Sequence, residues 1–155
     1  MATPDFILAL REKIGHAELW LPGVTAVVLR GTEVLLVRRA DTGAWTPVTG
    51  IVDPGEEPAV AAAREVLEEA DVVARVESLS WVKAIDPVTY ANGDRSRYLD
   101  LVFRCTWVSG EPFPADGENT EADWFSLDAL PELSPDMRAR IRVAVAGAEA
   151  ALFQR

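Results

Sequence analysis

The chain has 155 residues, of which 49% are hydrophobic, and it carries a formal net charge of −10. A chain of this length and composition can bury a core and fits one domain. Its negative charge argues against a nucleic acid polymer as the partner, because binding a phosphate backbone needs clustered Lys and Arg. No apolar run is long enough to span a bilayer and no basic-then-apolar leader is present, so we expect a cytoplasmic protein without membrane contact.

The first predicted element is a helix from Pro4 to Ile14, in which apolar side chains recur at helical spacing. Val24 to Leu29 and Val34 to Arg38 are rich in β-branched residues, and the turn at Gly31-Thr32 between them predicts a hairpin. Residues 1–20 precede this hairpin as an N-terminal helical extension. We expect the extension to cover an edge of the sheet or to contribute to a dimer.

An acidic segment follows, and it predicts a loop from Gly50 to Gly55 and a helix whose body runs from Ala59 to Ala70. At about 100° per residue, this helix has an apolar stripe, expected to pack, and an acidic side, expected to bind. The apolar stripe consists of Val60, Ala63, Leu67 and Ala70, and the acidic side of Glu65, Glu68 and Glu69. Such grouped carboxylates repel one another unless a cation neutralises them, and hard oxygen ligands suit Mg²⁺ or Mn²⁺. The alternative is a solvated acidic face.

The remaining elements predict a compact domain. Two longer strands are expected, from Val72 to Ile85 and from Tyr98 to Val108, around an irregular segment at 86–94. A short strand at 123–125 leads into a turn of helix at 127–130, and the last helix is expected from Pro135 to about Phe153. Cys105, the single cysteine, is interpreted as a core residue, and His16, the single histidine, as a surface residue.

The acidic segment resembles the signature of the Nudix hydrolases, a glycine, a glutamate, an Arg-Glu pair and a Glu-Glu pair at fixed spacing. The residues in register, within a box spanning 50–72, are Gly50, Glu56, Arg64, Glu65, Val66, Glu68, Glu69 and Val72. Asp71 stands where the family usually has glycine, at a helix end that we expect to be left-handed, a conformation that Asp tolerates better than most residues. Thr49 stands where relatives commonly have a glycine before Gly50.

This resemblance implies an α/β (α+β) fold, an α/β/α sandwich with a mixed β-sheet, in one domain over 1–155. It implies Mg²⁺ or Mn²⁺ as cofactor. The implied metal ligands are the carboxylates of Glu65, Glu68 and Glu69 and the backbone carbonyl of Thr49. Glu65 is alternatively the group that orients or deprotonates water. Arg64 is expected to support the site by pairing with Glu56 or a neighbouring carboxylate.

A further carboxylate is often supplied in this family by a loop before the last strand. Glu118 lies in such a loop and is our candidate ligand or general base, with Glu121 second, although loop acids are usually just solvated. For substrate recognition the candidates are Trp45, Tyr90 and Arg97, since an aromatic ring can stack on a base and an arginine can pair with phosphate. Packing is the alternative for the aromatic residues and surface exposure for Arg97. Less favoured candidates are Asn92, Asp94, Arg95 and Trp124.

The resemblance implies metal-dependent hydrolysis of the diphosphate bond in a nucleoside diphosphate linked to another group. The expected substrate is a small nucleotide, either an ADP-ribose-like compound or a nucleoside triphosphate, including oxidised ones. Isomerisation of isopentenyl diphosphate fits poorly, since the relatives that catalyse it need metal ligands that a chain with one cysteine and one histidine does not evidently supply. A non-enzymatic nucleotide sensor is the other alternative, and the intact set of charged box residues disfavours it. A homodimer, common in the family, is left open.

Overall fold

The computed structural model describes residues 3–155, so Met1 and Ala2 of the predicted extension lie outside the described residues. Its helices are α1 (Asp5–Ile14), α2 (Pro58–Ala70) and α3 (Pro135–Ala146). Its strands are β1 (Leu19–Arg30), β2 (Glu33–Arg39), β3 (Trp45–Thr46), β4 (Val48–Ile51), β5 (Val73–Ala84), β6 (Val88–Thr89), β7 (Arg95–Ser109), β8 (Asn119–Ser126) and β9 (Leu152–Phe153). The predicted N-terminal helix, the hairpin and both longer strands are confirmed, each within a few residues of its expected bounds.

One mixed sheet contains all the strands of the described residues, and β1 is at its centre. β1 pairs in parallel with β7, from Leu19 opposite Ser96 to Leu29 opposite Thr106. Its other edge is shared, because β4 pairs with Gly23–Ala26 and β2 pairs with the last two residues. The β1–β4 pairing therefore places the Thr49-Gly50 segment beside the middle of β1.

Helices cover both faces of this sheet, because alternate residues of β1 point to opposite sides. Val24, Ala26 and Val28 are buried in a cluster with α2, whereas Val27 and Leu29 are buried in a second cluster with α3. The expected α/β/α sandwich with a mixed sheet is confirmed. Cys105 is completely buried in the α2-side cluster, and burial raises the pKa of its thiol to about 12, as expected for a core residue rather than a nucleophile.

The packing face of α2 differs from the prediction. Val60 and Leu67, expected to pack, are 58% and 49% exposed. Ala70 of the expected stripe is buried, and the rest of the buried side consists of Ala61, Ala62, Glu65, Val66 and Glu69. Small alanines let the helix approach the sheet closely while two long carboxylate side chains reach inward. A hydrophobic stripe misidentifies the packed face when acids occupy part of that face.

Asp71 ends α2 in the left-handed conformation expected from the sequence, with φ 54° and ψ 30°. It is the one non-glycine residue with positive φ among those the structure describes. We expect Asp71→Gly to raise the free energy of unfolding by up to about 1 kcal/mol, because glycine adopts this region without a steric penalty. Denaturant unfolding would measure the change, and turnover should stay within about twofold. A clear loss of stability would mean that the Asp71 side chain stabilises the helix end.

The C-terminal region corrects two predictions. The last helix ends at Ala146 rather than near Phe153, because Gly147 adopts a left-handed conformation with φ 63°. The Arg104 guanidinium donates hydrogen bonds to the free carbonyls of Ala144 and Val145, and the chain then returns to pair β9 with β5. Residues 127–130 form a turn rather than a turn of helix. Within residues 3–155, no helix combines the length and apolarity needed to cross a membrane.

Candidate active site

A cavity of about 310 Å³ opens beside the β1–β4 pair, at the point where α2, α3 and the loops before β7 and β8 approach one another. Its acidic end carries Glu69 of α2 and Glu118 of the loop before β8, with Thr49 and Gly50 of β4 beside them. Four of the predicted site residues therefore meet at this cavity: Thr49, Glu69, Tyr90 and Glu118. Glu65 lies behind Gly50, and Arg64 and Glu68 lie outside the lining.

Arg64 holds the acidic segment together. Its Nε and Nη2 atoms donate to the two carboxylate oxygens of Glu56 at 2.8 and 2.9 Å. Its Nη1 atom lies 3.0 Å from Glu65 Oε1 and 3.1 Å from Glu68 Oε2. A planar guanidinium suits such multiple pairing. The arrangement agrees with the expected supporting role, since Arg64 joins the loop at Glu56 to the helix.

Glu65 is completely buried against the backbone of Gly50. Glu65 Oε1 receives the bond from Arg64, whereas Oε2 is buried without a hydrogen-bond partner. An unpartnered buried carboxylate oxygen is costly, and a bound cation would satisfy it. Burial raises the pKa of Glu65 to about 8, although the Arg64 charge lowers it.

Glu69 lies one turn further along α2 and is 4% exposed. Asn119 Nδ2 donates to Glu69 Oε2 at 2.9 Å, which fixes the carboxylate at the cavity. Burial raises the pKa of Glu69 to about 7, with a further upward contribution from the Glu118 charge. The Glu118 loop is itself held in place, because Asp116 Oδ1 accepts the Glu118 amide and the Glu118 carbonyl accepts the Ala40 amide.

These carboxylates fit a divalent metal of the Mg²⁺ type. Among residues 3–155, no three acidic, histidine or cysteine side chains already converge as a closed cage. Mg²⁺ does not need one, because it keeps several waters and uses few carboxylates together with substrate phosphate oxygens. The orphaned Glu65 oxygen and the buried Glu69 carboxylate are the fitting donors. Glu68 is 41% exposed and lies on the outer side of Arg64.

The raised pKa values of Glu65 and Glu69 predict an unusual dependence of stability on pH. The folded, metal-free protein keeps protons that the unfolded chain loses near pH 4.5, so these groups lower the free energy of unfolding as pH rises from about 5 to about 8. Denaturation in EDTA across this range should show the decline, and Mg²⁺ should reverse it at pH 8. Glu69→Gln should decline less steeply. If the stability of the parent and of Glu69→Gln fell equally with pH, the raised pKa of Glu69 would be contradicted.

A model of the NUDIX domain matches residues 19–146 of this chain. This chain belongs to the NUDIX family. A relative from Pseudomonas aeruginosa named NAD-capped RNA hydrolase NudC is 38% identical over 114 residues, which cover 72% of this chain and 38% of the relative. A MutT-like protein from Streptomyces ambofaciens is 34% identical over 117 residues, covering 75% of this chain and 70% of that protein. The chain thus spans well under half of the NudC relative.

Solved structures agree with the NUDIX fold. A NUDIX hydrolase from Nitrosomonas europaea matches with a TM-score of 0.69 and 23% identity, covering 88% of this chain and 78% of that chain. An ADP-ribose pyrophosphatase from Streptococcus suis matches with a TM-score of 0.63 and 20% identity, covering 85% and 96% respectively. At this identity the likeness concerns the fold alone. Helix α1 precedes the matched NUDIX region.

The three predicted substrate residues lie in different places in the NUDIX chain. Tyr90 lines the cavity, and its hydroxyl contacts that of Tyr98. Trp45 lies outside the lining and packs edge-on against Phe125, with ring centroids 4.8 Å apart. Arg97 is also outside the lining, and its Nε donates to Glu18 at 2.8 Å. The packing alternative accounts for Trp45, and a surface ion pair accounts for Arg97.

The less favoured candidates for substrate recognition and catalysis also lie in different places. Asn92 and Asp94 line the cavity, whereas Glu121 pairs with Arg38 at 2.7 Å. Arg30 stacks over the Trp124 ring at 4.2 Å. These contacts join residues far apart in sequence, so the sequence alone could not show which candidates line the cavity.

Arg39 and Asn119 are among the residues at the candidate site that were not predicted from sequence. Arg39 lines the cavity at the end of β2, where its guanidinium pairs with both carboxylate oxygens of Asp41. Asn119 orients Glu69. The signal for Asn119 was its place beside Glu118 in the loop already suspected. The signal for Arg39 was its place just before the turn that leads to β3.

A buried polar cluster joins α3 to the sheet at the cavity. Arg140 Nη1 donates to Asp100 Oδ2 at 3.0 Å and to Thr25 Oγ1 at 2.8 Å. The Thr25 hydroxyl in turn donates to Asp100 Oδ2 at 2.8 Å. Arg140 is 4% exposed and Asp100 is 3% exposed, and burial raises the Asp100 pKa. The cluster fixes the cavity wall opposite α2.

We expect Arg140→Met to lower the free energy of unfolding by about 3–5 kcal/mol, because it leaves Asp100 buried without its cation. Arg138→Met, an exposed position on the same helix, is the matched control and should change stability by about 0.5 kcal/mol or less. Urea denaturation of both variants measures the difference. Equal stabilities would show that water reaches Asp100 when the arginine is removed.

Proposed function

We propose that this protein is a Mg²⁺- or Mn²⁺-dependent hydrolase that cleaves the diphosphate bond of a nucleoside diphosphate linked to another group. One observation supports the proposal most strongly, namely that two carboxylates are buried beside one cavity: Glu69 lines it, and Glu65 lies against Gly50, which also lines it. Burying such carboxylates costs folding free energy, which points to a function that requires them there. Binding a cation that also binds phosphate provides one.

The proposed roles follow from the contacts of each residue. Glu69, Glu65 and the Thr49 carbonyl would hold the metal, with Glu68 as an outer ligand. Bound metal would neutralise diphosphate oxygens and make a bound water more acidic. Glu118, which lines the cavity close enough for its charge to act on Glu69, would accept the proton of the attacking water. Arg64 positions Glu65 and Glu68 rather than contacting substrate. Water attack at phosphorus would give two phosphorylated products.

The name of one similar protein narrows the proposed substrate. NAD-capped RNA hydrolase, the name of the Pseudomonas aeruginosa relative, describes a diphosphate that joins a nucleoside to a second group. We therefore place ADP-ribose-like and dinucleotide compounds ahead of nucleoside triphosphates, normal or oxidised. The net charge of −10 disfavours a long RNA. A nucleotide sensor is the alternative.

The test is a screen with Mg²⁺ and then Mn²⁺ over ADP-ribose, dinucleotides, sugar nucleotides, dinucleoside polyphosphates and nucleoside triphosphates. Glu69→Gln serves as the inactive variant. Glu57→Gln is the matched control, since Glu57 is an exposed acid whose side chain does not cap α2. Two phosphorylated products from the parent and Glu57→Gln, with ¹⁸O from water in one of them, would support the proposal. Nucleotide binding without turnover would overturn it in favour of the sensor.

A further inference from the structure

Helix α1 forms part of the cavity wall although it lies outside the NUDIX region at 19–146. Ile7 and Arg11 of this helix line the cavity, together with its N-cap residue Pro4. Ile7 is 5% exposed, whereas Leu8, its neighbour on the same helix, is 51% exposed. An isolated helix of ten residues has little stability of its own, so the position of α1 depends on these contacts.

Three polar contacts join α1 and the residues just after it to the start of β7 and the residue before it. Arg11 Nη2 donates to the Arg95 carbonyl at 2.7 Å and lies 3.3 Å from Ser96 Oγ. His16 Nδ1 lies 2.8 Å from Asp94 Oδ1. The same segment supplies Asp94 and Ser96 to the cavity lining. Helix α1 and the start of β7 therefore form one joined wall.

The place where this wall meets β1 lies several residues along the strand from the pairing with β4. Leu19 of β1 pairs with Ser96, whereas Gly23 pairs with Asp100 and lies opposite Ile51 of β4. Four residues of strand separate the two places, which corresponds to about 13 Å. A substrate with its diphosphate near Thr49 and Glu69 would extend its remaining part along β1 towards α1.

We propose that α1 is a specificity element that forms one wall of the cavity and limits the nucleoside or second group that the site accepts. Ile7 is the residue that meets this group. Pro4, Ile7 and Tyr90 all line the cavity, and such apolar and aromatic lining favours a flat, weakly hydrated ring such as a nucleobase. The inference rests on the proposed function, because it concerns the substrate of the same site.

The test compares Ile7→Trp with Leu8→Trp, the same change at a buried cavity position and at an exposed position of one helix. Steady-state kinetics on the nucleotide turned over best should show KM raised about tenfold or more by Ile7→Trp, because a filled pocket rejects its ligand. The kcat should stay within about threefold of the parent value, since the carboxylates are unchanged. Leu8→Trp should change neither constant. Equal KM values for both variants would overturn the inference.

Ile7→Ala provides a second route if the larger side chain unfolds the helix. It should enlarge the cavity and raise kcat/KM for a substrate with a bulkier base relative to a smaller one, by about threefold or more.

Calorimetric titration with ADP separates this inference from the proposed function. A parent that binds ADP but hydrolyses nothing would refute the hydrolase, while weaker ADP binding by Ile7→Trp alone would still support α1. Hydrolysis with identical selectivity in all variants would refute α1 alone.

Discussion

Glu69→Gln is expected to lower metal-dependent kcat/KM by at least about a thousandfold, on the order of 4 kcal/mol of transition-state stabilisation. Glu69 is buried at the cavity, and Asn119 Nδ2 donates to its Oε2 at 2.9 Å. A glutamine carbonyl can accept the same hydrogen bond, so the fold should be kept while the anionic ligand is lost. Kinetics in Mg²⁺ together with a denaturation curve would measure both quantities.

The denaturation curve distinguishes loss of a ligand from loss of structure. In EDTA at pH 8, Glu69→Gln should be as stable as the parent or more so, because the neutral amide removes the cost of a buried charge. Glu57→Gln changes the same functional group on the surface and should leave turnover unaltered. A Glu69→Gln protein that retains turnover within about threefold would remove Glu69 from the proposed metal site.

Gly50→Ala is expected to abolish most turnover and to lower the free energy of unfolding by about 1–3 kcal/mol. A Cβ atom at position 50 would lie 2.2 Å from Glu65 Cδ and 2.3 Å from its Cγ and Oε1. Glu65 is completely buried and bonded to Arg64, so it has no free space into which to move. Either the carboxylate or β4 must shift.

A double-mutant cycle tests whether the clash with the Glu65 side chain causes the loss of stability. In Gly50→Ala with Glu65→Ala, the shortened side chain removes the clash, so stability should return while turnover stays absent. Gly23→Ala is the control for adding a methyl group to a neighbouring strand, because its Cβ would meet atoms at 3.4 Å or more, an ordinary contact distance. Full turnover in Gly50→Ala would show that Glu65 adapts freely and does not require this packing.

The sequence predicted the acidic helix and its end well, because both depend on local spacing. Asp71 adopts the left-handed conformation that its place in the box required. The sequence did not predict which side of α2 is buried, since Glu65 and Glu69 face inward against the hydrophobic pattern. In a site that binds charged groups, the packed face and the binding face can be the same.

Contacts between distant parts of the chain account for the remaining differences. Trp45 packs on Phe125, and Arg97 pairs with Glu18, contacts that join residues nearly eighty positions apart. The contact between Arg11 and Arg95 is equally remote in sequence. For this reason the N-terminal extension was expected at a sheet edge or in a dimer, and its place in the cavity wall emerged only from the structure.

The parallel pairing of β1 with β7 has a consequence for biosynthesis. Leu19 pairs with Ser96 and Leu29 with Thr106, so each partner follows 77 residues after the first. A ribosome must therefore make more than half of the chain before one edge of this largely buried strand can be covered. Long-range parallel pairing is slow, and open apolar edges aggregate. Chaperone occupancy of nascent chains should thus be highest before β7 emerges.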